Sequence, residues 1–396
     1  MNAKESIKAF GEELKGTGKR NLLRKLTCIT SSHGSKVLIN GKRLINFSSN
    51  DYLNLSRHPE ILKAAAAAMN KYGSGSGSSR LLSGTFLPHV KLEERIAKFK
   101  KTEAALVFNS GYAANTGIIP AISGDDAVIF SDELNHASII DGIRLSKAAG
   151  KIYRHRDMDH LELLLKKSFR KNKIRRRLII TDTVFSMDGD IAPLRDVLSL
   201  CGKYDALLMI DDAHGTGVLG SSGRGGLEHF GIDKTDRIIQ MGTLSKAAGC
   251  FGAFVAGPED LIKLLVNKAR SFMYSTSLPP SAAAACTKAL DIVEHESGTR
   301  RRRLWNNRQR LYEGLKRLGC DTLGSETPII SVLTGDTKNA LKAGNYLFRR
   351  NIFAPAIRPP TVEEGRCRIR FSVTAAHTKE DIDLVLESLS KIKWSA

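Results

Sequence analysis

Leu207-Leu208-Met209-Ile210-Asp211-Asp212-Ala213-His214-Gly215 is an apolar run of strand length that ends in two carboxylates and a histidine. Further along, Ile238-Ile239-Gln240-Met241-Gly242 ends in Thr243-Leu244-Ser245-Lys246. Short, continuous apolar runs of this kind read as strands buried on both faces, which is what a parallel sheet covered by helices requires. Ligands of such folds gather at the carboxyl ends of the strands, and both runs deliver their polar residues there. An anion and then an amine, each at a strand end, match the needs of pyridoxal phosphate (PLP). That cofactor requires an amine for its aldehyde and an anion that keeps its ring nitrogen protonated. Its phosphate needs hydroxyl and backbone N–H donors. Taken singly, Lys246 reads as a surface lysine and Asp211 as a helix cap. The pair carries the signal.

Outward from this stretch the same pattern repeats. Ala104–Phe108, Ala127–Phe130, Lys151–Tyr153, Leu178–Val184, Leu207–Ile210, Ile238–Met241 and Ala253–Ala256 read as seven strands. Helical patterns such as 137–149, 160–167 and 194–203 lie between them. Strand–helix alternation over this length predicts an α/β fold with a large, mostly parallel seven-stranded sheet. After Pro279-Pro280 the pattern changes to a long helical region over 282–318, strands near 329–333 and 367–373, and helices near 338–349 and 379–392. That reads as a smaller C-terminal α+β domain. Residues 1–45 read as an N-terminal arm: an amphipathic helix, a basic segment and a hairpin at Asn40-Gly41. The predicted division is thus 1–45, 46–281 and 282–396. The run Gly73-Ser74-Gly75-Ser76-Gly77-Ser78-Ser79 has linker composition, but its place well inside the chain favours an active-site loop.

Composition is that of an ordinary globular protein of 396 residues, 42% hydrophobic and 26% charged, so a large core is available. No apolar run approaches the ~20 residues of a membrane span, and the first residues lack the apolar stretch of a secretory signal. Six scattered cysteines without a Cys-x-x-Cys pair fit reduced thiols of a cytoplasm better than disulfides or a metal site. The formal net charge is +20, much of it in Arg170–Arg177 and Arg300–Arg303. Neither run is interleaved with aromatics, so solvated positive faces are the first reading. Attraction of an acidic partner such as coenzyme A or a carrier protein is the second, and binding of nucleic acid the third.

With these motifs placed, the chain resembles the α-oxoamine synthases, a branch of the fold-type-I PLP-dependent transferases. The resemblance is carried by Asn46 to Leu53, Ser110-Gly111-Tyr112-Ala113-Ala114-Asn115, Asn135-His136-Ala137-Ser138, Val184 to Asp190, Asp211 to Gly217 and Thr243 to Lys246. It implies that Lys246 holds PLP and acts as base, that Asp211 pairs with the ring nitrogen and that His136 stacks on the ring. It further implies His214 and Ser186 at the phenolic oxygen. Gly111, Tyr112 and Thr243 would serve the phosphate, with Ser275 and Thr276 reaching it from a second subunit of a homodimer. Arg370 aligns with the arginine that clamps the amino-acid carboxylate, for which a bidentate guanidinium is suited. Ile357-Arg358-Pro359-Pro360-Thr361-Val362 resembles the members that condense L-alanine with a pimeloyl thioester in biotin biosynthesis. There, Thr361 and an N-terminal arginine meet the acyl substrate; Arg24 is assigned, with Arg20 and Lys25 competing. The acyl carrier, coenzyme A or a carrier protein, stays open, as does a glycine-using acyltransferase with a short acyl group.

Overall fold

The computed structural model describes residues 2–169, 174–233 and 236–392. It divides into two compact units. One comprises Met1–Ser49, Met187–Gly189 and Leu304–Ala396; the other comprises Asn50–Ser186 and Asp190–Arg303.

The larger unit is built on the seven predicted strands: β1 (Ala104–Phe108), β2 (Ala127–Asp132), β3 (Ala149–Tyr153), β4 (Arg176–Asp182), β5 (Leu207–Asp211), β6 (Ile238–Thr243) and β7 (Ala253–Gly257). They form one sheet in the order β1-β7-β6-β5-β4-β2-β3. Every pair is parallel except those of β7, which runs antiparallel to both β1 and β6. Because β7 reverses twice, β1 points the same way as β6, and the carboxyl ends of β1, β2, β4, β5 and β6 share one edge. Alternate side chains feed separate cores on the two faces. Leu178, Ile180 and Met209 pack with the helix Gly111–Ile122 on one face. Ile179, Leu208 and Ile210 pack with the helices Met158–Phe169 and Leu194–Lys203 on the other.

The smaller unit holds two three-stranded sheets. In one, Lys36–Ile39 and Lys42–Asn46 form the predicted hairpin, with Ile352–Phe353 added in parallel. Asn40 and Gly41 at its tip both have positive φ (50° and 74°), as the tight two-residue turn demands. In the other, Cys367–Ser372 lies between Ile329–Gly335 and Ala356–Ile357. The N-terminal helix Ala3–Lys19 buries no residue, and its apolar stripe of Ile7, Phe10 and Leu14 is exposed.

Two features differ from expectation. The helical region predicted over 282–318 is broken: Pro280–Asp291 passes into a π-helical turn, Ile292–Glu296, before the helix Gly298–Arg317 begins. The divisions between the units also fall elsewhere than residues 45 and 281. Phe47 is paired on both sides within the smaller unit, its N–H donating to Phe353 O at 3.0 Å and its carbonyl accepting from Ser372 N at 2.7 Å. The helix Pro280–Asp291 packs with Pro59–Tyr72 and Leu87–Lys100 in the larger one.

Candidate active site

In the larger unit the predicted site residues converge on the shared edge of the sheet. Asp211 is the last residue of β5 and is buried. Its Oδ1 accepts the Ala213 N–H at 3.0 Å and its Oδ2 accepts Asn115 Nδ2 at 2.8 Å, both neutral donors. Lys246 follows β6 in a turn closed by Gly249 N donating to Lys246 O at 2.8 Å, and is half-buried. His136 precedes the helix Ala137–Leu145, and its ring accepts the Ser138 N–H, so it caps that helix. Burial lowers the His136 pKa, and Lys246 lowers it further against the opposing pull of Asp211. These three residues therefore share one electrostatic neighbourhood.

Asp182 completes that neighbourhood and was not singled out from sequence. It ends β4, sits opposite Asp211 in register and accepts the His136 N–H at 2.7 Å. Burial, and then the charge of Asp211, push its pKa up. His214, in the turn after β5, is buried with its Nδ1 2.8 Å from the Tyr52 hydroxyl. Ser186 is half-buried beyond β4, in a turn framed by the Val184–Ile191 bridge.

Gly111 and Tyr112 are the first residues of the helix after β1, so their N–H groups have no acceptor inside it. Ser110 caps that helix by accepting the Ala113 N–H at 3.1 Å. The Tyr112 hydroxyl donates to Asp141. Thr243 ends β6, where its hydroxyl donates to Gly252 O at 2.9 Å and lies 2.7 Å from Ser245 Oγ. Ser275 and Thr276 line a cleft with Arg80, Phe108 and Asn109. Asn109, just after β1, donates to Thr276 O at 2.7 Å. The Gly/Ser run is tied to this segment as well: Ser79 bridges Thr276, and Ser76 Oγ donates to Ser277 O at 2.6 Å.

The carboxylate of Asp212, next to Asp211, has a structural role. Lys100 Nζ meets Asp212 Oδ2 at 2.7 Å, Thr216 Oγ1 at 3.0 Å and Arg224 O at 2.5 Å, all in a dry interior. Gly225, at φ 101°, passes so close that any Cβ there would collide with Asp212.

The smaller unit carries the remaining candidates. Arg368 is buried and bound to Asp188 Oδ1 at 2.6 Å, so its charge is already matched. Arg370, two residues on and on the same strand face, is half-buried, with Nη1 3.0 Å from Ser372 Oγ. Arg24 Nη2 donates to Pro359 O at 3.0 Å and lies 3.4 Å from Thr361 Oγ1. Arg358 returns the contact by donating to Leu23 O at 2.9 Å. Arg24 and Thr361 are thus brought together, whereas among the described residues no side-chain hydrogen bond joins Arg20 or Lys25 to that segment.

The basic runs are only partly solvated. In the run 300–303, Arg301 is buried and donates to Val293 O and Ser221 O, each at 2.6 Å. Of the other run, 170–173 lie outside the described residues, and Arg176 donates to Ile122 O at 2.6 Å. Among the described residues no helix is long and apolar enough to cross a membrane.

The family model for class I and II aminotransferases matches residues 42–389. A relative from Geobacter sulfurreducens, named 8-amino-7-oxononanoate synthase, is 48% identical over 97% of this chain and 98% of its own length. One of the same name from Symbiobacterium thermophilum is 49% identical over 96% of both chains. Among solved structures, a serine palmitoyltransferase from S. paucimobilis with PLP–myriocin bound superposes with a TM-score of 0.91 at 29% identity, covering 98% of each chain. An 8-amino-7-oxononanoate synthase from Francisella tularensis has a TM-score of 0.76 at 31% identity, over 88% of this chain and 97% of that one. The α/β fold with its seven-stranded, mostly parallel sheet is that of a fold-type-I PLP-dependent transferase. Within that class, the chain belongs to the aminotransferase class I and II family, in its α-oxoamine synthase branch.

Proposed function

We propose that this chain condenses L-alanine with a pimeloyl thioester, releasing carbon dioxide and the free thiol to give 8-amino-7-oxononanoate, with PLP as cofactor. The observation that carries the reading is near-full-length identity of 46–49% to relatives of that name. The donor set supports the cofactor. A buried carboxylate that accepts two neutral N–H groups suits a ring N–H⁺, and the N–H groups of Gly111 and Tyr112 at the helix start suit a phosphate. When bound, PLP supplies the electron sink that stabilises the negative charge left on the amino-acid Cα.

The chain's own residues do the rest. Lys246 is the amine that would hold the cofactor, and once released it would take the α-proton of alanine. An amine freed of its proton at that position is the base that the α-proton requires. Asp211 would hold the ring proton, and its buried setting makes that interaction strong. His136 would stack on the ring, while His214 and Ser186 would donate to the phenolic oxygen. Thr243, Ser275 and Thr276 would add hydroxyls at the phosphate. To serve a phosphate oxygen, Thr243 would have to turn its proton from Gly252 O, 2.9 Å away, toward that acceptor. Arg370 would clamp the α-carboxylate, since Arg368 is matched by Asp188. Arg24, beside Thr361, would meet the distal carboxylate of the acyl chain. A homodimer in the cytoplasm, with Ser275 and Thr276 serving the partner's site, completes the reading.

The test is to incubate PLP-loaded protein with alanine or glycine and with pimeloyl-CoA or acetyl-CoA, and to identify products by mass. Product from alanine and pimeloyl-CoA alone is expected. Product from glycine and acetyl-CoA alone would overturn the substrate assignment. A Lys246→Ala variant with near-normal turnover would overturn the site.

A further inference from the structure

His136 and Asp211 lie on different elements, yet a continuous chain of hydrogen bonds joins them. Asn115 Nδ2 is 2.8 Å from Asp211 Oδ2 and 2.9 Å from Ser138 Oγ. Ser138 Oγ is 2.7 Å from His136 Nδ1, and the Ser138 backbone N–H also points at that nitrogen, at 3.2 Å. Asn115 and Ser138 are fully buried, so water does not compete for these groups. Asn115 Oδ1 is itself buried with no partner among the described residues, so the amide is placed for what its nitrogen does.

The polarity of every link follows from the anion at one end. Facing a carboxylate, the Asn115 side chain must present its NH₂ and not its oxygen. That group has two hydrogens; one goes to Asp211 and the other to Ser138 Oγ. Ser138 Oγ therefore accepts from Asn115, and its single proton is left for His136 Nδ1. The backbone N–H of Ser138 can only donate. Two donors thus converge on Nδ1, which must carry a lone pair, and the ring proton must sit on Nε2.

We propose that Asn115 and Ser138 are positioning residues that transmit the orientation of the Asp211 anion to His136 and hold its imidazole neutral, with the proton on Nε2. The proposal rests on the reading of this site given above and deepens it. A cationic imidazole stacked on a protonated pyridine ring would be repelled, whereas a neutral one is not. The relay therefore lets a single carboxylate stabilise the positive ring and keep the stacking partner uncharged. The fall in the His136 pKa with burial and with Lys246 acts in the same direction.

The tautomer can be read directly. In PLP-loaded protein labelled with ¹⁵N-histidine, with His136→Gln used to assign the signals, wild type should show an acceptor-type Nδ1 and a protonated Nε2 at neutral pH. Ser138→Ala should draw the two shifts together, as the tautomers mix, and Ser138→Thr should restore their separation. A protonated Nδ1 in wild type, or an unchanged pattern in a folded Ser138→Ala, overturns the proposal. If Ser138→Ala does not fold, the wild-type spectrum alone decides. The functional reading fails separately, through the product assay, since the tautomer is measured without turnover.

Discussion

Replacing Lys100 with methionine should be among the most destabilising single changes in this chain. The ammonium lies in a dry interior and meets a carboxylate, a hydroxyl and a backbone carbonyl. Methionine fills much of the same volume but leaves the Asp212 charge buried. That charge retains only Thr216 Oγ1 at 2.8 Å and the Gly226 N–H at 3.0 Å. Removing one partner of a buried ion pair costs about 3–5 kcal/mol, most of it the penalty of the stranded charge. With an m-value of about 3 kcal/mol/M for a chain of this size, the urea midpoint should fall by roughly 1–1.7 M. Two controls separate the mechanism from a general loss of packing. Lys263→Ala removes an exposed helix pair with Glu259 and should leave the midpoint unmoved. Adding Asp212→Asn to Lys100→Met removes the stranded charge and should recover part of the loss, on the order of 1–3 kcal/mol of coupling. A midpoint shift below about 0.3 M for Lys100→Met, or a double variant weaker than the sum of the singles, would refute the reasoning.

Asp211→Asn should retain PLP, by visible absorbance, yet lose on the order of 10²-fold or more in kcat, because an amide cannot hold the ring proton. Wild-type turnover would show that the wrong carboxylate had been chosen. Arg370→Ala should weaken alanine use with every acyl donor, whereas Arg24→Ala should lower kcat/KM about ten- to a hundredfold only for donors with a distal carboxylate. Equal losses on pimeloyl-CoA and an uncharged acyl-CoA of similar length would remove the role of Arg24. His155 gives a pH signature: burial alone would lower its pKa, but hydrogen bonds to Asp132 and Asp190 overcome this and raise it to about 9. A raised folded-state pKa means that the stabilisation is complete below about 6.5 and fades as pH rises through 9. Urea midpoints should therefore fall more steeply between those values in wild type than in His155→Gln, and parallel curves would contradict it.

The seven sheet strands were legible because strands buried on both faces must be apolar throughout, and turn residues punctuate them. The candidate residues at their ends were legible because their types match a cofactor's chemistry in a fixed order. What escaped depends on partners far apart in the chain. Nothing near Lys100 signals that its charge is spent on Asp212, and nothing near Arg301 signals that it ties Val293 to Ser221. Asn115 and Ser138 were inside recognised motifs, but their function appears only when two helices and a strand end are seen together. The break near Ile292 escaped because an apolar stripe continues through it. The π turn preserves the burial of Ile292 and Val293 while resetting the helix.

The candidate residues fall on two sides of a partition. Those that would handle PLP all belong to the larger unit, whereas Arg24, Thr361 and Arg370 belong to the smaller one. Asp211, His136 and His214 have hydrogen-bond partners in the larger unit (Asn115, Ser138 and Tyr52), and Arg24 meets Thr361 within the smaller one. Substitutions that alter which acid is admitted can therefore accumulate in the smaller unit without disturbing the bonds that would hold the cofactor. A lineage built on such a chain can change its substrate while inheriting its chemistry intact.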